Sequence, residues 1–241
     1  MHPQIIARLN DINRQFYATT ADDFDATRGS AWPGWSRLLD ILPAPSAPVR
    51  VLDVGCGNGR FGVFLAEAWG AERVRYHGVD NNADLLRYAR EALADRTSAA
   101  TFTAQDVIAQ PLDTPTAAYD LVVAFGLLHH VPGHANRREF VAGLARLVTA
   151  GGHLAFACWR FHEFERFRQR VINWPDDLAD HVEAGDYLLD WRRGETAIRY
   201  CHHVDDDEQT GLVAASGLRP VAGYRADGFT GTVNAYSVLS V

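Results

Sequence analysis

The chain has 241 residues, 47% of them apolar, a composition far from the polar and strongly charged kind that keeps a chain unfolded. At this length roughly 70–75% of the extended chain's surface is buried on folding, so no disulfide or structural metal is needed, and Cys56, Cys158 and Cys201 fit neither a disulfide scaffold nor a zinc site. Thirty acidic against 23 basic side chains, all of the latter arginine, give a net charge of −7, which disfavours a free-standing nucleic-acid binder, and the longest nearly unbroken apolar stretch, 121–128, is far short of a membrane span.

Residues 1–42 read as one or two helices, a cap carrying Phe16-Tyr17 and Trp32-Pro33-Gly34-Trp35 ahead of the breaker Pro43-Ala44-Pro45. Short apolar runs predict strands over 49–54, 75–80, 119–125 and 152–159. Helical patterns over 59–69, 82–94 and 136–149 separate most of them, the last expected to stop at Gly151-Gly152. Such alternation predicts an α/β fold, a mainly parallel sheet with helices on both faces. Residues 160–203 break the rhythm with Trp174-Pro175, Tyr187, Trp191-Arg192-Arg193 and His202-His203, and read as an insertion over the sheet. One more helix over 205–216 and strands near 218–224 and 233–239 close what reads as a single domain, the hairpin supplying an antiparallel edge. With no basic cluster followed by an apolar signal core, a reducing cytosol is the expected compartment.

The most informative run is Val51-Leu52-Asp53-Val54-Gly55-Cys56-Gly57-Asn58-Gly59-Arg60, an apolar strand entering three alternating glycines and then a helix. Such a loop turns tightly and brings backbone N–H groups up to a ligand at a helix N-terminus. Gly57 to Gly62 formally satisfies the dinucleotide pattern G-x-G-x-x-G, with Asp80 at a suitable distance. Asp53, two residues before the first glycine, separates the readings: a carboxylate there repels a pyrophosphate but accepts hydrogen bonds from an ammonium group, or holds the loop. A ligand with an ammonium and no phosphate, such as S-adenosylmethionine, fits better.

The pattern Asp-x-Gly-x-Gly-x-Gly resembles motif I of the class I S-adenosylmethionine-dependent methyltransferases. The resemblance implies a Rossmann-like seven-stranded sheet and places Asp53, Gly55, Cys56, Gly57, Asn58 and Gly59 around the cofactor, Cys56 as a small filler whose backbone matters. It implies that Asp80, followed by Asn81, bridges the ribose hydroxyls, that Gln105-Asp106-Val107 meets the adenine amino group, and that the strand ending at Phe125 lies under the methyl group. Outside these motifs, Phe16-Tyr17, Phe24-Asp25-Ala26-Thr27-Arg28 with Trp32-Pro33, Leu127-Leu128-His129-His130-Val131-Pro132 with Arg137-Arg138, and Arg199-Tyr200-Cys201-His202 resemble the family that esterifies the carboxymethyl group on wobble uridine of tRNA. That resemblance implies a tRNA acceptor and a small activator subunit; a small-molecule acceptor, and a non-catalytic protein that keeps the cofactor pocket, are the alternatives.

By position, Arg28 is the candidate clamp for the cofactor's carboxylate, while Tyr17 and Trp32 either close over the cofactor or pin the N-terminal helix. His129 and His130 are the candidate catalytic pair, one of them expected to be a structural hydrogen-bonder. Trp191, Arg192, Arg199, Tyr200 and His202 are candidates for holding an acidic substrate under a lid formed by 160–203. Seven arginines against nine acids in residues 160–200 leave that lid less basic than a tRNA platform requires. No metal site is expected.

Overall fold

A computed structural model describes residues 1–26, 29–97, 99–192 and 196–241, with backbone only at Arg192 and Thr196. The strands are β1 (Val49–Val54), β2 (Val74–Asp80), β3 (Ala100–Ala104), β4 (Tyr119–Phe125), β5 (Val148–Trp159), β6 (Val171–Ile172), β7 (Asp186–Arg192), β8 (Thr196–His202), β9 (Arg219–Ala226) and β10 (Asn234–Ser240). The helices are α1 (Pro3–Ala26), α2 (Pro33–Ile41), α3 (Arg60–Trp69), α4 (Ala83–Leu93), α5 (His134–Ala145), the short α6 (Glu165–Arg168) and α7 (Asp176–Ala179), and α8 (Asp206–Ser216). None of the described helices is long and apolar enough to cross a membrane.

Seven strands form one sheet in the order β3-β2-β1-β4-β5-β10-β9. The first five run parallel; β10 is antiparallel to both β5 and β9 and so lies one place in from the edge. Alternation along β1 sends Val51 to a core with Trp35 and Leu38 of α2, Phe61 and Leu65 of α3 and Leu86 of α4, and sends Leu52 and Val54 to a core with Val141 and Leu144 of α5 and Leu212 of α8. With both faces covered, the central strands read as unbroken apolar runs. Successive strands β1, β2 and β3 step one way along the sheet and β4 and β5 the other, so the carboxyl ends of β1 and β4 diverge and leave a crevice.

Helix α5 stops four residues earlier than its sequence pattern predicts, at Ala145, and β5 opens at Val148. A single turn, Leu147 N–H to the Leu144 carbonyl, ends it, and Val148 then pairs with Tyr119. Gly151 and Gly152 lie within the strand at an irregularity in the β4–β5 register rather than at a helix stop. A Cβ on Gly152 would sit 2.8 Å from the Asp120 carbonyl oxygen, which explains the glycine.

Residues 160–203, expected as an irregular insertion, contain an ordered three-stranded antiparallel sheet, β6-β7-β8. Helix α1 lies on it with the stripe Leu9, Asn10, Asn13, Phe16, Thr20 and Ala21 buried. The Tyr200 N–H donates to Asn13 Oδ1 (2.8 Å), and Leu9 packs with Leu188 and Tyr200.

A buried charge network fixes this small sheet to the large one. Asp186 Oδ1 lies 2.6 Å from His202 Nδ1 and accepts from the Tyr200 hydroxyl (2.7 Å); His202 Nε2 lies 2.7 Å from Glu208 Oε2 on α8. Arg137 of α5, 1% exposed, donates to Glu208 (2.6 Å), Glu183 (3.1 Å) and the Val131 carbonyl (3.0 Å). The acidic run 205–208 is explained here as well: Asp205 caps α8 through the Glu208 N–H, and the acids that follow face the positive end of the helix. Burial alone would lower the His202 pKa, but the bonds to Asp186 and Glu208 outweigh it and raise it. Glu208, which burial alone would raise, is held down at about 2 by His202 and Arg137.

The stability that His202 supplies is therefore complete below its usual value of 6.5 and is lost as pH rises through its raised folded value, whereas that from Glu208 is complete above its usual 4.5 and is lost as pH falls toward about 2. Urea unfolding is expected to show the wild-type midpoint falling, as pH rises above about 6.5, more steeply than that of His202→Gln. Parallel profiles would remove the charged His202 from the account.

Candidate functional site

The crevice between β1 and β4 opens into a cavity of about 450 Å³. Its floor is the loop leaving β1, held by short contacts that only small residues permit. A Cβ on Gly59 would fall 2.9 Å from that of Ala89 on α4, and its φ of +75° lies in the left-handed region. Gly57, at φ +53°, turns its N–H to Asp80 Oδ2 (2.9 Å), while Asp80 Oδ1 accepts from the Asn82 N–H (2.9 Å). Asp80 thus stands at the end of β2 with its carboxylate in the cavity wall, and burial raises its pKa above the usual carboxylate range. Asp53, 3% exposed, accepts from the Tyr76 hydroxyl; burial, partly offset by that bond and reinforced by Asp80, pushes its pKa up to about 7.

Loops after the neighbouring strands complete this half. Asp106 Oδ1 accepts from the Ile108 and Ala109 N–H groups (3.1 Å each), and its Oδ2 from Asn10 Nδ2 of α1 (2.8 Å). Gln105 is turned to the Pro111 carbonyl through Nε2 (2.7 Å). Asn58 Nδ2 donates to Asp25 Oδ1 (2.8 Å), tying the glycine loop to the end of α1. Arg60 lies over the rings of Trp32 (4.7 Å) and Trp35 (5.2 Å), which with Phe61 and Phe125 make an aromatic wall.

Where β4 ends, Phe125-Gly126-Leu127 leads into a tight turn holding both histidines, 5% and 3% exposed. His130 is fully engaged: Nε2 lies 3.0 Å from the Tyr17 hydroxyl, and Nδ1 lies 3.0 Å from Asn13 Nδ2 and 2.9 Å from the Tyr200 carbonyl oxygen. Burial, then the nearby Arg199 charge, depress its pKa to about 3, so the ring is neutral at physiological pH. His129 also lines the cavity, its ring 5.2 Å from that of Trp159.

The other half of the cavity is walled by Trp159 of β5, Arg166, Phe167, Arg170, Trp191 of β7, Arg199 of β8 and Phe229 of the β9–β10 turn. The Arg199 guanidinium lies 4.7 Å from the Trp159 ring, 5.4 Å from that of Phe16 and 5.8 Å from that of Trp191.

The structure brings Tyr17, Trp32, Asp53, Gly55, Cys56, Gly57, Asn58, Asp80, Asn81, Gln105, Asp106, Val107, Phe125, His129, His130, Trp191 and Arg199 to this one cavity. It does not bring Tyr200 and His202 there. In β8 alternate residues face opposite ways, so Arg199 turns to the cavity while Tyr200 and His202 turn into the buried network with Asp186. Gly59 lies beneath the loop against α4 instead of on the cavity surface. Arg28, Arg193 and the Arg192 side chain lie outside the described residues.

Sequence reasoning missed Asn10 and Asn13 on α1, Trp159, and Arg166 and Arg170. The asparagines gave a signal, because amides on the apolar stripe of a helix require partners. Asn10 is 5% exposed, and its Oδ1 has no hydrogen-bond partner among the described residues.

These donors and acceptors suit S-adenosylmethionine. Asp80 could accept from ribose hydroxyls, the buried Asn10 Oδ1 from an exocyclic amino group such as adenine's and Asp53 from an ammonium, and Val107 and Ile108 could face a base. A methyltransferase domain model matches residues 52–154. Over 206 residues the chain is 32% identical to the trans-aconitate 2-methyltransferase of Streptomyces avermitilis, covering 76% of this chain and 73% of that protein. It is 28% identical over 150 residues to a tRNA (carboxymethyluridine(34)-5-O)-methyltransferase of Mus musculus, covering 62% of this chain and 20% of that one. Among solved structures, a methyltransferase from Methanosarcina mazei shares the fold with a TM-score of 0.66 at 19% identity, covering 88% of this chain and 99% of that chain. The chain belongs to the S-adenosylmethionine-dependent methyltransferases, with S-adenosylmethionine as methyl donor.

Proposed function

We propose that the protein methylates a carboxylate oxygen of a small anionic acceptor. One observation carries this reading: charge is segregated within the cavity. Asp53, Asp80 and Asp106 line the half suited to the cofactor, together with a single guanidinium, Arg60, stacked on Trp32 and Trp35, while Arg166, Arg170 and Arg199 line the half beyond the end of β4. Asp227, the remaining acid in the wall, is occupied by the Gly34 N–H, the Asn234 amide and the Tyr236 hydroxyl. Anionic acceptors fit such a chamber, and a cationic amine does not.

S-adenosylmethionine supplies a methyl group on a positively charged sulfur. The protein's part is to hold and desolvate the acceptor and to exclude water. A carboxylate is already ionised at neutral pH and surrenders no proton, so it needs no general base. His130, neutral and bound on both nitrogens, then acts as a latch that joins α1 to β8 across the cavity. Residues 160–203 and α1 together serve as the acceptor's cover. The similarity to the trans-aconitate 2-methyltransferase of Streptomyces avermitilis fits a small acid acceptor. The carboxymethyl group of a tRNA wobble uridine has the same chemistry and is the second reading, favoured by the motifs in 16–32 and 127–138; it calls for a small partner subunit to supply positive charge.

Three outcomes are expected. With methyl-labelled cofactor, label enters a base-labile ester of a small acid from a panel that includes trans-aconitate, fumarate and benzoate; label appearing only in base-stable products, or only in tRNA, overturns the small-acid reading. Asp80→Ala and Asn10→Ala each weaken cofactor binding by calorimetry about tenfold to a hundredfold, as loss of a hydrogen bond to a charged or buried partner does. Finally, turnover at saturating cofactor is flat between about pH 6 and 8 in wild type and His130→Gln alike. Over the same range cofactor affinity rises as Asp53 ionises near 7, a rise that Asp53→Asn abolishes.

A further inference from the structure

Two buried donors in the acceptor half have no acceptor. Trp191 is 6% exposed and its Nε1–H has no hydrogen-bond partner among the described residues; the same holds for the Nε–H of Arg199. Both side chains line the cavity, on the same face of the small sheet: Trp191 pairs with Ala197 and Arg199 with Leu189, which makes the two diagonal neighbours across β7 and β8. Arg199, half-buried, also has no carboxylate partner among the described residues and stands among the rings of Trp159, Phe16 and Trp191. The buried Arg137 and Arg160 do have carboxylate partners, Glu208 and Glu183 for the one and Asp206 for the other, although Arg160 Nε also lacks a hydrogen-bond partner among the described residues. Leaving two donors unmet in an interior site costs stability, and a ligand with anionic oxygens relieves it.

We infer that Trp191 Nε1 and the Arg199 guanidinium bind an anionic group of the acceptor other than the one methylated, so that the natural acceptor carries two acidic groups and leaves as a monoester. This rests on the carboxylate reading above and extends it. A carboxylate gripped by a guanidinium and an indole N–H has its lone pairs drawn into charge-assisted bonds, which makes it a poor nucleophile and a good anchor. The attacking carboxylate therefore lies nearer the end of β4, by Phe125 and His129, away from the anchoring pair. Anchoring one acid fixes which of the two meets the methyl group, and the ester product, with one charge fewer, keeps only the anchor contact. In the transfer, a carboxylate oxygen bonds to the methyl carbon as the carbon–sulfur bond breaks, and the electron pair of that bond stays on sulfur, leaving neutral S-adenosylhomocysteine.

The test uses the full chain and matched pairs of acids: fumarate against crotonate, and phthalate against benzoate. Calorimetry on protein saturated with S-adenosylhomocysteine is expected to show the diacid of at least one pair bound at least tenfold more tightly than its monoacid, and kcat/KM for methylation to follow the same order. In Trp191→Phe, which keeps the ring and loses the N–H, and in Arg199→Lys, which keeps the charge and loses the planar fork, the diacid-to-monoacid ratio falls about tenfold to a hundredfold while cofactor affinity holds. A ratio near one in wild type, or a ratio unmoved in both variants, overturns the inference. If diacids bind with the expected preference and variant losses but no ester forms, the anchor stands and the carboxylate-methylation reading falls; if monoacids and diacids are esterified alike, the reverse holds.

Discussion

How closely the loop after β1 approaches β2 and α4 governs the rest of this molecule. Gly59 sits where any side chain would strike Ala89, and Gly57 hands its N–H to Asp80 across the gap between the two strands. That hydrogen bond fixes the Asp80 carboxylate in the cavity wall. A carboxylate so placed is costly, because burial raises its pKa, and it is tolerable only because backbone N–H groups from Gly57 and Asn82 face it. The preorganised loop is therefore at once a place of close packing and the floor of the cavity. Widening it by one methyl group would disturb both.

The second constraint is electrostatic. A chain with net charge −7 holds Asp53, Asp80 and Asp106, with Arg60 among them, around one end of a cavity and Arg166, Arg170 and Arg199 around the other. Either cluster of like charges repels itself in a dry site; under the proposed function, ligand charge of the opposite sign offsets each. Arginine suits the acceptor end better than lysine does, because a guanidinium stacks on aromatic rings and is weakly hydrated, and Arg199 and Arg166 both lie over such rings.

Much of the large sheet was legible because its strands are buried on both faces and so appear as short apolar runs, and the β1 loop because its glycines and Asp53 stand in a fixed order. The cofactor half followed from those motifs. The small sheet β6-β7-β8 was not legible: its strands mix Asp186, Asp190, Arg199 and His202 among apolar residues, since one face meets the cavity and the other a buried ionic network, and neither gives the plain alternation of a solvent-facing strand. Grouping Arg199, Tyr200 and His202 as one lid cluster failed for that same reason, because adjacent residues of a strand point apart. Asn10 and Asn13 were hidden in another way, as polar residues on a helix stripe whose partners, Asp106 and His130, lie 96 and 117 positions away.

The latch at His130 joins these two levels. Its ring is neutral because it is buried and because Arg199 stands nearby, so a cation of the cavity wall also keeps the histidine from taking up a proton. A charged His130 would place a second positive group beside Arg199 and would no longer accept a hydrogen bond from the Tyr17 hydroxyl. A neutral ring with its proton on Nδ1 donates to the Tyr200 carbonyl of β8 and accepts from Tyr17 of α1 at Nε2, so one ring holds both elements. Helix α1 in turn carries Asn10 to the cofactor half, and β8 carries Arg199 to the acceptor half. The histidine turn at the end of β4 thus ties together the two elements that carry Asn10 and Arg199 to the cavity, a positioning role that His130 performs with a neutral ring.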